Sequence, residues 1–180
     1  MEILKLDFYR SLNEMHFIGI FANHKEYENI KKNVIKILKR DDIKLININS
    51  TNISNVRNIV FETVVFCDEI KFSSKYENIV NNLCVKCKYV IVNADISNKF
   101  ELLSNKFINC ITYGLNQKST ITISSVMNDK VIVDIQRNMR NISNQNIEMK
   151  EISVDLKKHK YIKIQNILAV YAIYCIYNEI

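Results

Sequence analysis

Residues 15–39 read MHFIGIFANHKEYENIKKNVIKILK, and the change of period inside that stretch decides the fold. Met15–Phe21 is a short apolar run of the length of a buried strand. From Tyr27 onward Ile30, Val34, Ile37 and Leu38 recur at helical spacing as far as Lys39. Strand, turn and amphipathic helix in that order open an alternating α/β pattern.

The same alternation continues downstream. Lys44–Ile48 (KLINI) and Glu62–Cys67 (ETVVFC) are short β-branched runs of the kind found in central parallel strands covered on both faces. Tyr76, Ile79, Val80, Leu83 and Cys87 give a second amphipathic helix over 75–87, and Tyr89–Asn93 (YVIVN) a fourth strand. A short helix is expected over Asn98–Lys106 and a fifth strand over Asn109–Tyr113, ending at Gly114. From Thr120 the rhythm becomes that of hairpins. Thr120–Val126 and Lys130–Gln136 flank Met127-Asn128-Asp129, where Asn and Asp tolerate the left-handed geometry of a tight turn, and Ile147–Val154 follows as another strand. Tyr161–Tyr177 returns to helix, apolar nearly all round from Ile167, so it must be buried against its own sheet or a partner. The expectation is one α/β domain with a mostly parallel, doubly wound sheet and helices on both faces. Its core spans 15–119, an antiparallel β extension spans 120–154, and a C-terminal helix over 161–177 closes it.

Composition narrows the chemistry. The chain has 180 residues, 48% of them hydrophobic and 24% charged, which excludes a disordered or fibrous protein. It has two glycines and no proline or tryptophan, so glycine-dependent phosphate loops are largely excluded. The net charge of +6 is spread over Lys31-Lys32, Lys36, Lys39-Arg40 and Lys157–Lys160, with Glu26, Glu28, Asp41, Asp42 and Asp155 beside them. These read as solvated helix faces, and no nucleic-acid partner is expected. Met1–Phe21 carries Glu2, Asp7 and Glu14 and lacks the apolar run of a secretion signal. Ile167–Tyr177 is shorter than the roughly 20 residues a membrane-spanning helix needs. The expected location is cytoplasmic, and the five cysteines are expected as reduced thiols. Cys84-Val85-Lys86-Cys87 closes a helix, whereas a redox pair would open one; a zinc site would need Cys67 and Cys110 to converge on it.

Ligands of doubly wound sheets bind beyond the carboxyl ends of the strands, here Phe21–Lys25, Cys67–Ile70, Asn93–Ser97 and Gly114–Lys118. Taken in order, these ends resemble the central ATP-binding domain of the Mur ligases. Tyr89–Asp95 (YVIVNAD) resembles that family's strand ending in Asn-x-Asp, and Ile111–Leu115 (ITYGL) its strand ending in Tyr-Gly. Asn166–Val170 (NILAV) resembles the Asn-x-Leu-Ala-Ala start of its last central helix, although Ile162 stands where a His often precedes it. The resemblance implies a nucleotide site at Asn23, Lys25, Asn93 and Asp95.

The family's first loop, of the type Gly-Thr-Asn-Gly-Lys-Thr, is altered. This chain reads Ile20-Phe21-Ala22-Asn23-His24-Lys25-Glu26, one residue short, with Ala22 and His24 nearest the lost glycines and Glu26 where the metal-binding hydroxyl would be. Asp68 or Glu69 could hold Mg²⁺ through carboxylate oxygens, or belong to a solvated turn or helix cap. The two flanking substrate domains of the family are not in this sequence. The resemblance therefore implies a Mur-like domain without ATP turnover and without a cofactor, serving as a binding or interaction module. The alternative is an ATP-dependent carboxylate–amine ligase component that takes Mg-ATP and works with partner chains. A homo-oligomer or protein partner is expected through the apolar C-terminal helix.

Overall fold

The computed structural model describes residues 15–67, 74–96, 109–159 and 162–178. In chain order the elements are β1 (His16–Phe21), α1 (His24–Leu38), β2 (Ile43–Ile48), α2 (Ile53–Val56), β3 (Thr63–Phe66), α3 (Ser74–Lys86), β4 (Tyr89–Asn93) and β5 (Asn109–Tyr113). There follow β6 (Ile121–Val126), β7 (Lys130–Ile135), β8 (Met139–Arg140), β9 (Asn146–Ile147), β10 (Lys150–Asp155), a 3₁₀ turn over Leu156–His159, and α4 (Ile164–Tyr177). The main sheet has eight strands in the order β10-β7-β6-β5-β4-β3-β1-β2, and β8 and β9 form a small separate ribbon.

β2, β1, β3, β4 and β5 are all parallel, and the strand order reverses direction between β1 and β3. Both faces are covered, which explains why β3 and β4 are buried at every residue. Successive side chains divide between two cores. Ile18, Ile20, Val65, Ile91, Ile111 and Tyr113 join α1 and α4 on one face. Phe21, Val64, Phe66, Val90 and Val92 join α2 and α3 on the other. Gly19 lies on that second face, where a Cβ would stand 2.7 Å from Ile48 Cδ1 and 3.1 Å from the Phe61 ring. Phe21 and Phe66 stack there with ring centroids 4.6 Å apart.

The expected α/β architecture is the observed one, a mostly parallel sheet with an antiparallel extension and a C-terminal helix. Within 120–154 the strands pair antiparallel with one another, as expected. β6 joins the sheet parallel to β5 through a single residue pair, Tyr113 with Ile121, and the reversal occurs at β7, which pairs antiparallel with both β6 and β10. The physical reason is the excursion Gly114–Thr120, which leaves the end of β5 and returns beside it, so that β6 continues in the same direction one strand over. In the C-terminal helix Ile167–Ile173 and Cys175–Tyr177 are all buried, and α4 packs on α1, β4, β5 and β6. The expected helix over Asn98–Lys106 lies outside the described residues. Among the described residues no helix is long and apolar enough to cross a membrane.

Candidate functional site

At the carboxyl end of β1 only Ala22 and Asn23 separate strand from helix. Asn23 has extended backbone, and its Oδ1 accepts the Glu26 N–H at 3.0 Å while its main-chain oxygen accepts the Tyr27 N–H at 2.9 Å. This is an N-cap, which starts α1 three residues ahead of the expected Tyr27. Ala22 is held from the neighbouring strand end, where Asn47 Nδ2 donates to its carbonyl at 3.0 Å. The connection is thus a capped, two-residue link rather than a loop that can wrap an anion.

Asn23 and the exposed Lys25 open onto a cleft of about 210 Å³ shared with Glu26, Asn29, Lys163 and Asn166. Two sequence-expected residues, Asn23 and Lys25, are therefore brought together with Asn166 of the NILAV motif. The contact that sequence reasoning missed is Glu26 with Lys163. Glu26 is 8% exposed, and its Oε1 accepts from Lys163 Nζ at 2.7 Å across 137 positions of sequence, a separation at which no local signal exists. Glu26 Oε2 and Asn166 Nδ2 are buried without a hydrogen-bond partner, an acceptor and a donor on the same cleft.

These residues do not fit the polyphosphate of ATP. The Glu26 amide is already taken by Asn23, the Glu26 carboxylate lies in the first turn where a phosphate would approach, and no glycine lets the backbone close on an anion.

Asn93 and Asp95 lie apart from this cleft, at the end of β4. Asn93 is 5% exposed, donates through Nδ2 to the Cys67 carbonyl at 3.4 Å and accepts the Asp95 N–H on Oδ1 at 3.0 Å. The Asp95 carboxylate accepts the N–H groups of Leu115 and Asn116 at 3.0–3.3 Å. Together they join the ends of β3, β4 and β5, and neither lines the Asn23–Asn166 cleft. Tyr113 donates its hydroxyl to the Phe66 carbonyl at 3.2 Å, and burial raises its pKa well above the ordinary value. Asp68 and Glu69 lie outside the described residues.

The Cys-x-x-C pair closes α3. Cys84 is buried, and Cys87 donates its thiol to the Cys84 carbonyl with a sulfur–oxygen distance of 3.0 Å. Burial pushes the Cys87 thiol up to about 12, opposite to the depressed value a redox thiol needs. Among the described residues no three His, Cys, Asp or Glu side chains come together as a metal-holding group.

Compared with protein-family models and with curated proteins, the chain matches none.

Proposed function

We propose that this chain is a Mur-ligase-like central domain that has lost ATP-dependent ligation and acts in the cytoplasm as a binding or interaction module. The observation that carries this reading is the link between β1 and α1: Ala22 and Asn23 alone, capped on Glu26, with the Glu26 carboxylate bound to Lys163. The antiparallel strands beyond β6 fall where the resemblance implies a β extension, and Asn93 and Asp95 stand at strand ends in the order it implies. Both support descent from that scaffold. Isothermal calorimetry with Mg-ATP tests the loss: the expected result is no heat of binding at millimolar nucleotide. ATP hydrolysis abolished by Lys25→Ala overturns the reading.

A second reading has one observation in its favour. Asn23, Lys25 and Asn166 share a cleft at the carboxyl end of β1, where a doubly wound sheet binds ligands. In that reading the chain is the nucleotide-holding component of an acid–amino-acid ligase, completed by partner chains. It requires a rise in melting temperature with Mg-ATP that Lys25→Ala removes.

A further inference from the structure

A second cavity lies away from the carboxyl ends of the strands, along the flank of β5. It measures about 610 Å³. Asn109, Cys110 and Ile111 all line it, and because successive strand residues point to opposite faces, a cavity touched by three in a row must run along the strand's edge. Among the described residues that edge is open, because β6 pairs with β5 only at Tyr113. The direction of its backbone groups follows from their neighbours. The N–H groups of Gly114 and Thr112 point away from β4, to the Ile121 carbonyl at 3.2 Å and to Thr120 Oγ1 at 3.4 Å, whereas the Tyr113 carbonyl points toward β4 and accepts from Ala94. By the two-residue period, the Cys110 N–H and C=O face the groove, where no described strand receives them.

The groove is also cationic. Lys88, Arg137 and Arg140 line it, and no lining residue is an Asp or Glu. Elsewhere Arg40, Lys157 and Lys163 each hold a carboxylate. Among the described residues these three bond only neutral acceptors: Lys88 the Ile142 carbonyl at 2.6 Å, Arg137 the Lys118 carbonyl at 3.1 Å, and Arg140 Asn144 Oδ1 at 3.0 Å. Guanidinium groups with spare donors favour planar carboxylates, and an open strand edge favours an extended main chain.

We infer that this groove takes an extended acidic segment of a partner protein, added as a short strand beside β5 with its carboxylates on Lys88, Arg137 and Arg140. The Cys110 amide and carbonyl supply the main-chain pairing, and the cations select the sequence. The inference does not depend on whether the β1–α1 end has lost nucleotide, because the two sites share no residue.

Fluorescence anisotropy with a labelled, end-blocked Glu-Val-Glu-Val-Glu peptide tests it, with Lys-Val-Lys-Val-Lys as the opposite-charge control. The expected result is binding of the acidic peptide alone, weakened about tenfold or more by Arg137→Glu/Arg140→Glu. The charge-matched pair Lys32→Glu/Lys86→Glu, on α1 and α3, should change it by less than about twofold. Methylating the peptide's central backbone nitrogens should weaken binding about tenfold, and the Cys110 amide should gain protection from hydrogen exchange when the unmodified peptide is bound. Equal losses in both double variants would reduce the effect to net charge and overturn the inference. So would unchanged binding of the methylated peptide, or displacement by citrate at equal concentration, either of which would make the groove a small-anion site.

Discussion

The Asp95 carboxylate receives the Leu115 N–H on both oxygens, at 3.1 and 3.0 Å, and stands 2.7 Å from where a Cβ on Gly114 would be. The second of the chain's two glycines is thus needed for a close approach, at a φ of 156°. Gly114→Ala drives the carboxylate off the backbone it clamps, and a loss of about 1–3 kcal/mol is expected from urea midpoints. Asp95→Ala, which removes exposed hydrogen bonds without a clash, should cost less, about 1 kcal/mol. Equal stability of Gly114→Ala and the parent chain would show that β5 does not depend on this contact.

Tyr177 ends α4 with its hydroxyl 2.7 Å from Thr63 Oγ1 at the start of β3, both residues fully buried. Burial raises the Tyr177 pKa, so the hydroxyl stays protonated throughout the working range. Tyr177→Phe leaves the Thr63 hydroxyl without its partner in the core, at an expected cost of about 1–3 kcal/mol. Adding Thr63→Val removes the orphaned group, so the double variant should be more stable than the sum of the two single losses predicts. Strict additivity in denaturation midpoints would mean that the hydroxyls are not coupled.

The parts of the fold legible in the sequence are those written in local period. The strands Tyr89–Asn93 and Asn109–Tyr113 coincide with their expected bounds because both are short runs carrying β-branched residues, the second closed by Gly114. α1 begins earlier than its apolar spacing indicates, because Asn23 starts it by capping while the first turn carries His24, Lys25 and Glu26. The direction of β6 was not legible: hairpin chemistry at Met127–Asp129 fixes its pairing with β7 and says nothing about its pairing with β5. α2 is a single turn, with Ile53 and Val56 buried, too short for a period to register. At the site, Asn23 and Lys25 were identifiable from one stretch of chain. The Glu26–Lys163 pair and the cationic flank of β5 arise only when distant segments meet, so no spacing encodes them.

Acid should unfold the chain partly through Asp42. Arg40 donates to both of its oxygens, at 3.0 and 2.5 Å, and this hydrogen bonding holds the carboxyl below its ordinary pKa. Arg40 also reaches the Tyr177 carbonyl at 2.9 Å, tying α4 to the same point, and His16 Nε2 lies 3.6 Å from Asp42. A pKa depressed by folding gives stability that is present above the unfolded value, about 3.9, and lost as pH falls through the folded one. Asp42→Asn should therefore lower the urea midpoint at neutral pH, and the gap to the parent chain should close in strong acid. A gap that stays constant down to about pH 2 would remove Asp42 from the acid response.

The thiols should behave as hydrophobic groups. Burial pushes Cys87 and Cys175 up to about 12 and also raises Cys110, which sits exposed as a residue on the edge of β5. Since the thiolate is the reactive form, alkylation of the folded chain near pH 8 should be slow throughout. Cys110 should be modified first, and Cys67, Cys84 and Cys175 only after denaturation. Rapid labelling of Cys87, or a disulfide between the buried Cys84 and the half-buried Cys87 under mild oxidation, would contradict this reading.

Glu26→Ser places at this position the hydroxyl that the resemblance implies, and under the proposed function it should not create nucleotide binding. The substitution removes the carboxylate and its orphaned Oε2, and the Lys163 side chain is 69% exposed, so the released ammonium is met by water and the fold should survive. Asn23 still caps the helix, and Ala22 and Asn23 still form the whole link between β1 and α1. A polyphosphate needs several backbone N–H groups turned inward at once, and a two-residue link with neither glycine cannot present them. The melting temperature of Glu26→Ser is therefore expected to stay unchanged in millimolar Mg-ATP. If it rises while the parent chain's does not, the single carboxylate rather than the geometry of the link is what keeps nucleotide out.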